Sequence, residues 1–222
     1  AKHFVFTGNP GTGKTTVARL LSKIYCALGV LSKGHLVEVD RSGMVAGYMG
    51  QTALKTKQVI DKAKGGVLFI DEAYALSNHG PEGDFGQEAI DTLNKAMEDY
   101  RDDLIVIVAG YPDLMENFID ANPGLKSRFN KTIEFPDYTA EDLFAIFEHM
   151  CREQDYHLSP AGGTRLREVL AKMVREKDEN FGNARDIRNY LSRVIERQAN
   201  RLVTAASVNK EQLLEITVED LL

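Results

Sequence analysis

At 222 residues the chain exceeds the roughly 100–200 of a typical single domain, and its 43% hydrophobic content is enough for one large core or two modest ones. A net charge of -6 offers no basic footprint for nucleic acid or an anionic membrane, so protein or small-molecule partners are favoured over both. No apolar run approaches the roughly 18 residues of a membrane span and no signal-like series opens the chain, which reads as cytosolic with reduced thiols at Cys26 and Cys151. The chain begins at Ala1, directly on an apolar run, and reads as a trimmed protein or a piece of a longer one.

As far as about Pro136, short apolar runs alternate with amphipathic helical patterns, the signature of βα units and a parallel sheet. The first strand is expected at His3–Thr7. GNPGTGKT comes next, Gly8 to Thr15, fitting G-x-x-x-x-G-K-S/T between a strand and a helix as the mechanism of a phosphate loop requires. The glycines let backbone N–H groups turn toward phosphate oxygens and the helix N-terminus adds partial positive charge. Lys14 reaches the β and γ phosphates, and Thr15 can hold Mg²⁺. The competing explanation is a glycine-rich turn with an exposed lysine. Along the next helix, Val17, Leu20, Leu21, Ile24 and Leu28 form a stripe that can cover a sheet face.

The second strand is expected at Leu36–Asp40. After it, GYMGQT, Gly47 to Thr52, sets Tyr48 and Met49 between glycines, either as an exposed aromatic on a flexible mount or as part of a core. The third strand, Val67–Asp71, ends GGVLFIDEA: four apolar residues and then two carboxylates. Asp71 would bind Mg²⁺ directly or through water, and Glu72 can orient and deprotonate a water for attack on the γ phosphate. A strand end with solvated acids is the alternative. SNHGPEGDFG, residues 77–86, is a loop.

A fourth strand is expected at Leu104–Ala109. Then NPGLKSRFN brings Arg128 just before the last strand, Thr132–Phe135, either as a surface arginine or as a cation offered to a neighbouring subunit's transition state. From FPDY onward helix succeeds helix. Thr139 caps one carrying Leu143, Phe144, Ile146, Phe147 and Met150; Leu166, Val169, Leu170, Met173 and Val174 stripe a second; Ile187, Tyr190, Leu191, Val194 and Ile195 stripe a third. In FGNARDIRN, Asn183 is expected to cap a helix with Arg185 in its first turn, where a cation opposes the helix dipole. Arg185 is compensated either by a γ phosphate or by Asp186 or Glu179. The expected domains are residues 1–136 and 137–222.

Assembled in this order, GNPGTGKTT, GYMGQTALKT, GGVLFIDEAYAL, FGQEAIDTLNKAMED, AGYPD, NPGLKSRF, FPDY and GNARDIRN resemble the AAA+ ATPases. Within them they resemble the CbbX/CfxQ group, which includes red-type Rubisco activases, stage V sporulation protein K and ESX-secretion ATPases. The resemblance implies a P-loop NTPase sheet of five parallel strands flanked by helices, followed by a small, mostly helical lid domain. It implies an ATP-hydrolysing, Mg²⁺-dependent homo-hexamer that remodels a protein client. Nucleotide binding falls to Gly8, Asn9, Pro10, Gly11, Thr12, Gly13, Lys14, Thr15, Thr16, Asp71, Tyr111 and Arg185, with Thr15 and Asp71 toward the metal. Glu72, Arg128 as arginine finger and Arg185 as second sensor take catalytic roles. Tyr48, Met49 and Gly50 form a pore loop, with 77–86 a second loop facing the channel. Two departures stand out: Gly110 and Tyr111 occupy a position where many relatives carry a polar sensor, and the segment that usually precedes the first strand and helps hold adenine is not in this sequence. A nucleotide-gated scaffold or DNA loader, a secretion or sporulation ATPase without threading, and a small-molecule kinase are the competing functions.

Overall fold

The computed structural model describes residues 2–48, 50–77 and 85–222. By contact the chain divides into two compact units, one of Ala1–Gly8 with Gly13–Phe135, the other of Asn9–Thr12 with Pro136–Leu222.

The first unit contains the sheet. Its strands are β1 (Phe4–Thr7), β2 (Leu36–Val39), β3 (Val67–Asp71), β4 (Ile105–Gly110) and β5 (Thr132–Glu134), all parallel in the order β2-β3-β4-β1-β5. The helices are α1 (Lys14–Ala27), α2 (Arg41–Met44), α3 (Gln51–Ala63), α4 (Phe85–Asp99), α5 (Pro112–Asp120) and α6 (Pro123–Arg128). β1 and β4 are buried along their whole length and β3 in all but its last residue, as strands covered on both faces must be. Successive side chains then alternate between two cores. Phe4, Phe6, Val67, Phe69, Ile105 and Ile107 pack with Ala18 on one face; Val5, Leu68, Ile70, Val106 and Val108 pack with Ile60, Leu93, Met97 and Phe118 on the other.

The stripe expected to seat α1 on the sheet is displaced. Leu20, Ile24 and Leu28 are exposed, while Ala18 and Ser22 are buried and Val17, Leu21 and Tyr25 pack against the core. The buried face thus lies roughly a quarter-turn round the helix from Leu20, Ile24 and Leu28. Volume explains the displacement: the aromatic rings of Phe4, Phe6 and Phe69 fill this side of the sheet, and small residues let the helix approach.

The second unit is mostly helical: α7 (Ala140–Glu153), α8 (Pro160–Arg175), α9 (Ala184–Val203) and α10 (Lys210–Leu214), with a two-stranded pairing of β6 (His157–Leu158) and β7 (Glu215–Ile216). Thr139 does cap α7, in a reciprocal box with Asp142. Leu143, Phe147, Leu166, Leu170, Ile187, Leu191 and Val194 form its core. Cys26 and Cys151 are free thiols. No described helix is long and apolar enough to cross a membrane.

Candidate functional site

Parallel register brings three strand ends into line, because Thr7 lies opposite Gly110 and Asp71 opposite Ala109. The segments that leave these strands are therefore gathered at one edge, the carboxyl end of the sheet, where open α/β sheets place their ligands. Gly8 donates its amide to Gly110 O at 3.2 Å. A Cβ at Gly8 would stand 2.3 Å from Phe135 O, so no larger residue fits this close approach. Gly13 caps α1 in the left-handed region at φ 95° with no side chain to occupy the helix end. The first amide bonded within the helix is Val17, to Gly13 O at 2.9 Å. The Thr15 and Thr16 amides precede it and point out of an N-terminus whose first turn holds no acid, an arrangement suited to an anion. Lys14 Nζ reaches back to Gly8 O at 2.8 Å, and exposed Thr16 comes after Thr15 on the helix.

Thr15 Oγ1 lies 3.4 Å from Glu38 Oε1 on β2. Glu38 and Asp71 line one cavity of about 320 Å³ with Asp40; Asp71 and Glu72 line another of about 460 Å³ with Asp40, Arg41 and Gly47. Glu38 was not singled out in the sequence. Only its place on β2, which is hydrogen-bonded to β3, puts it in this group. Asp71 Oδ1 accepts the Glu72 amide at 3.0 Å, and Glu72 sits in the left-handed region at φ 48°. That conformation costs a non-glycine residue roughly 1–3 kcal/mol and marks a position held by its surroundings.

Tyr74 is a second residue that pattern reading missed. A Cβ on Gly110 would stand 2.5 Å from its Cε1, so the glycine at the end of β4 makes room for this ring. Burial, with the charges of Glu72, Tyr111 and Asp71 behind it, pushes the Tyr74 phenol up to about 12. Tyr111 is the residue before α5 and half-buried.

Tyr48 is 73% exposed. Met49 lies outside the described residues, as do positions 78–84 of the second loop. A Cβ at Gly47 or Gly50 would meet nothing within 4 Å, and Gly50 has φ 77°. Packing therefore does not require these glycines; conformational freedom does in the case of Gly50. The base of the loop, by contrast, is clamped by α3. Thr52 Oγ1 accepts the Ala46 amide at 3.0 Å, Lys55 Nζ donates to Val45 O at 3.1 Å, and Thr56 Oγ1 donates to Met44 O at 2.9 Å. Their spacing puts all three on one helix face.

Arg128 closes α6, with Nη1 donating to Gly124 O at 3.0 Å and Nη2 3.6 Å from Glu98 Oε2, while Nε is buried without a partner.

In the second unit, Thr12 Oγ1 closes the turn Asn9–Thr12 on Asn9 O at 2.9 Å. A Cβ at Gly11 would fall 2.0 Å from Gly182 O. Asn183 stands at the N-cap of α9 but does not cap it through its side chain, contrary to expectation. Its Oδ1 accepts from the Tyr138 amide at 2.8 Å instead, and a φ of 50° turns it away from the helix. Arg185 comes two residues later, exposed in the first turn. Among the described residues of its unit no carboxylate pairs with it, Asp186 being taken by the Gly182 amide at 2.8 Å.

The residues fit a nucleotide with its magnesium. In the first unit Gly8 and Gly13 hold positive-φ conformations that side chains rarely adopt, and the amides at the start of α1 face out of a helix end that carries no acid. Thr15 and Asp71 supply hard oxygens, and among the described residues no group of three or more His, Cys, Asp or Glu is placed to hold a metal alone. Mg²⁺ suits such a set, because it takes one or two protein oxygens and completes its shell with phosphate and water.

A model of the ATPase family associated with various cellular activities (AAA) matches residues 4–137, and one of the AAA lid domain matches residues 139–222. Protein CbbX of Cereibacter sphaeroides is 54% identical over 205 residues, 92% of this chain and 66% of that protein. A chloroplastic ribulose bisphosphate carboxylase/oxygenase activase of Cyanidioschyzon merolae is 47% identical, covering 99% of this chain and 75% of its own. Stage V sporulation protein K of Bacillus subtilis is 46% identical, covering 100% and 69%. The chain thus spans only part of each of these relatives. The crystal structure of a FIGL-1 AAA domain superposes with a TM-score of 0.68 at 16% identity over 99% of this chain and 68% of that one, a likeness of fold.

Proposed function

The chain belongs to the AAA ATPases, with an AAA domain followed by an AAA lid and its similarity in the CbbX/CfxQ proteins, and from that membership we propose that it hydrolyses ATP to remodel a protein client. The observation that carries this reading is the alignment of strand ends that gathers Gly8, Asp71, Glu72 and Tyr111 at one edge. There the amides at the start of α1 and Lys14 bind the β and γ phosphates. Mg²⁺, when bound through Thr15 and Asp71, neutralises charge on those phosphates. Glu72 orients the attacking water and takes its proton as the oxygen adds to the γ phosphorus and ADP leaves. A phosphotransferase acting on a small molecule has no need of such a carboxylate.

Six copies in a ring with Arg128 offered in trans, Arg185 sensing the γ phosphate and Tyr48 gripping the client in a central channel complete the proposal. Support for the grip is the exposure of Tyr48 on a glycine-flanked loop whose base is clamped. The net charge of -6 favours a polypeptide over nucleic acid. Identity to an activase and to a sporulation protein is nearly equal, so the client is to be identified by capture. The test is Glu72→Gln, which should hold ATP without releasing phosphate and retain clients, beside Lys14→Ala, which should not bind ATP. Phosphate release by Glu72→Gln at the wild-type rate would sink the mechanism. A Tyr48→Ala protein that hydrolyses ATP but no longer remodels the captured client is the expected third result.

A further inference from the structure

The outer turn of the phosphate loop, Asn9–Thr12, groups by contact with Pro136–Leu222, and three of its successive carbonyls are engaged from within that unit. Asn183 Nδ2 lies 3.3 Å from Pro10 O, the Ala184 amide donates to Gly11 O at 3.0 Å, and the Tyr138 hydroxyl donates to Thr12 O at 3.0 Å. A planar trans peptide points the C=O of one residue and the N–H of the next in opposite directions. Drawing the carbonyls of Pro10, Gly11 and Thr12 one way therefore aims the amides of Gly11, Thr12 and Gly13 the other way. The remaining carbonyl of the turn, Asn9 O, takes the Thr12 hydroxyl, and the amide it would orient belongs to Pro10, which has no N–H.

Behind these contacts stands one carboxylate. Asp137 Oδ1 accepts from both Asn9 Nδ2 and Asn183 Nδ2, each at 2.9 Å, and Oδ2 accepts from Lys177 Nζ at 2.7 Å. Burial by itself would raise this carboxyl, but Lys177, Asn183 and Asn9 outweigh it and hold it below the ordinary carboxylate range. Asn183 is fully buried, and its Oδ1 is occupied by the Tyr138 amide. Its Nδ2 also lies 3.4 Å from Phe181 O, and only an amide side chain both donates to such oxygens and accepts from an N–H here.

We propose that Asp137, Tyr138 and Asn183 are positioning residues for phosphate binding: they fix the peptide planes of the loop's outer turn so that its amides face the polyphosphate before nucleotide arrives. The proposal rests on the nucleotide reading above and goes beyond it, since none of the three touches the nucleotide in that reading.

The test is titration of the 222-residue chain with methylanthraniloyl-ADP in Mg²⁺, with thermal unfolding as a check of fold. Asp137→Ala and Asn183→Ala should each weaken binding about tenfold. Asp137→Asn should recover most of the loss, because its amide oxygen still accepts from Asn9 and Asn183. Tyr138→Phe removes one hydroxyl and should cost about threefold; it decides the matter should the alanine variants not fold. Asn183→Gly keeps the positive φ and loses the side chain. Wild-type affinity in that variant would mean that asparagine serves only the backbone, and would overturn the proposal, as would Asp137→Ala and Tyr138→Phe proteins that fold and bind within about twofold of wild type. Equal binding by wild type and Lys14→Ala would instead defeat the nucleotide reading itself.

Discussion

His3 is buried with its Nδ1 accepting the Val106 amide at 2.9 Å, a bond that only the neutral ring can make. Burial, with nearby positive charge including Arg128, pushes its pKa down to about 4 from 6.5. Because the folded pKa lies below the unfolded one, the stability tied to the neutral ring is full above pH 6.5. It is lost as pH falls toward 4, where the unfolded chain has taken a proton that the folded chain refuses. A shift of this size corresponds to roughly 3 kcal/mol. The thermal midpoint should therefore drop between pH 6.5 and 4, and His3→Asn, which keeps an acceptor but does not titrate there, should flatten that part of the curve. An unchanged slope would mean that other groups govern the acid limb. At this scale Lys14, Asp71 and Glu72 were legible because a loop and a strand end carry them by covalent spacing. Glu38 and Tyr74 were not, since each joins the site only through a neighbouring strand or through the space left by Gly110.

Among the elements, α1 shows how periodicity can find a helix and misplace its face. Of the expected stripe, Val17 and Leu21 do pack against the core, but Leu20, Ile24 and Leu28 are exposed, and the buried positions are Ala18 and Ser22 with Tyr25 beside them. Leu20→Gln should accordingly change the unfolding free energy by less than about 0.5 kcal/mol. Ala18→Leu should cost about 1–3 kcal/mol, because it forces extra volume against Phe6 and Phe69. Denaturant midpoints of the two variants are the measurement, and the reverse order would restore the large residues to the interface. α3 makes a complementary point. Thr52, Lys55 and Thr56, on one face of its first turns, spend their polar atoms on the loop before it. Asn183 is the same case at the start of α9, where a residue type suited to capping is drawn away by Tyr138 and Asp137.

For the whole molecule, the prediction concerns copies acting on one another. Arg128 spends one guanidinium nitrogen on Gly124 O and leaves its buried Nε unmatched, so leaving this position forfeits little hydrogen bonding. If it serves a neighbour's nucleotide, Arg128→Ala and Lys14→Ala proteins, each inactive alone, should regain ATPase activity when mixed into common rings. Mixed rings verified by mass that stay inactive at every ratio would refute action in trans.

The fold class, the five strands to within a residue or two and the phosphate-loop and strand-end motifs could all be read along the chain, because each depends on sequence neighbours: a buried apolar run, a glycine before a helix, an acid after a strand. The buried face of α1, the acid on β2 that approaches Thr15, and the bonding of the Asn183 side chain emerged only on folding. Those outcomes depend on partners distant in sequence, whose volume and hydrogen-bonding capacity override local preference once they are brought into contact.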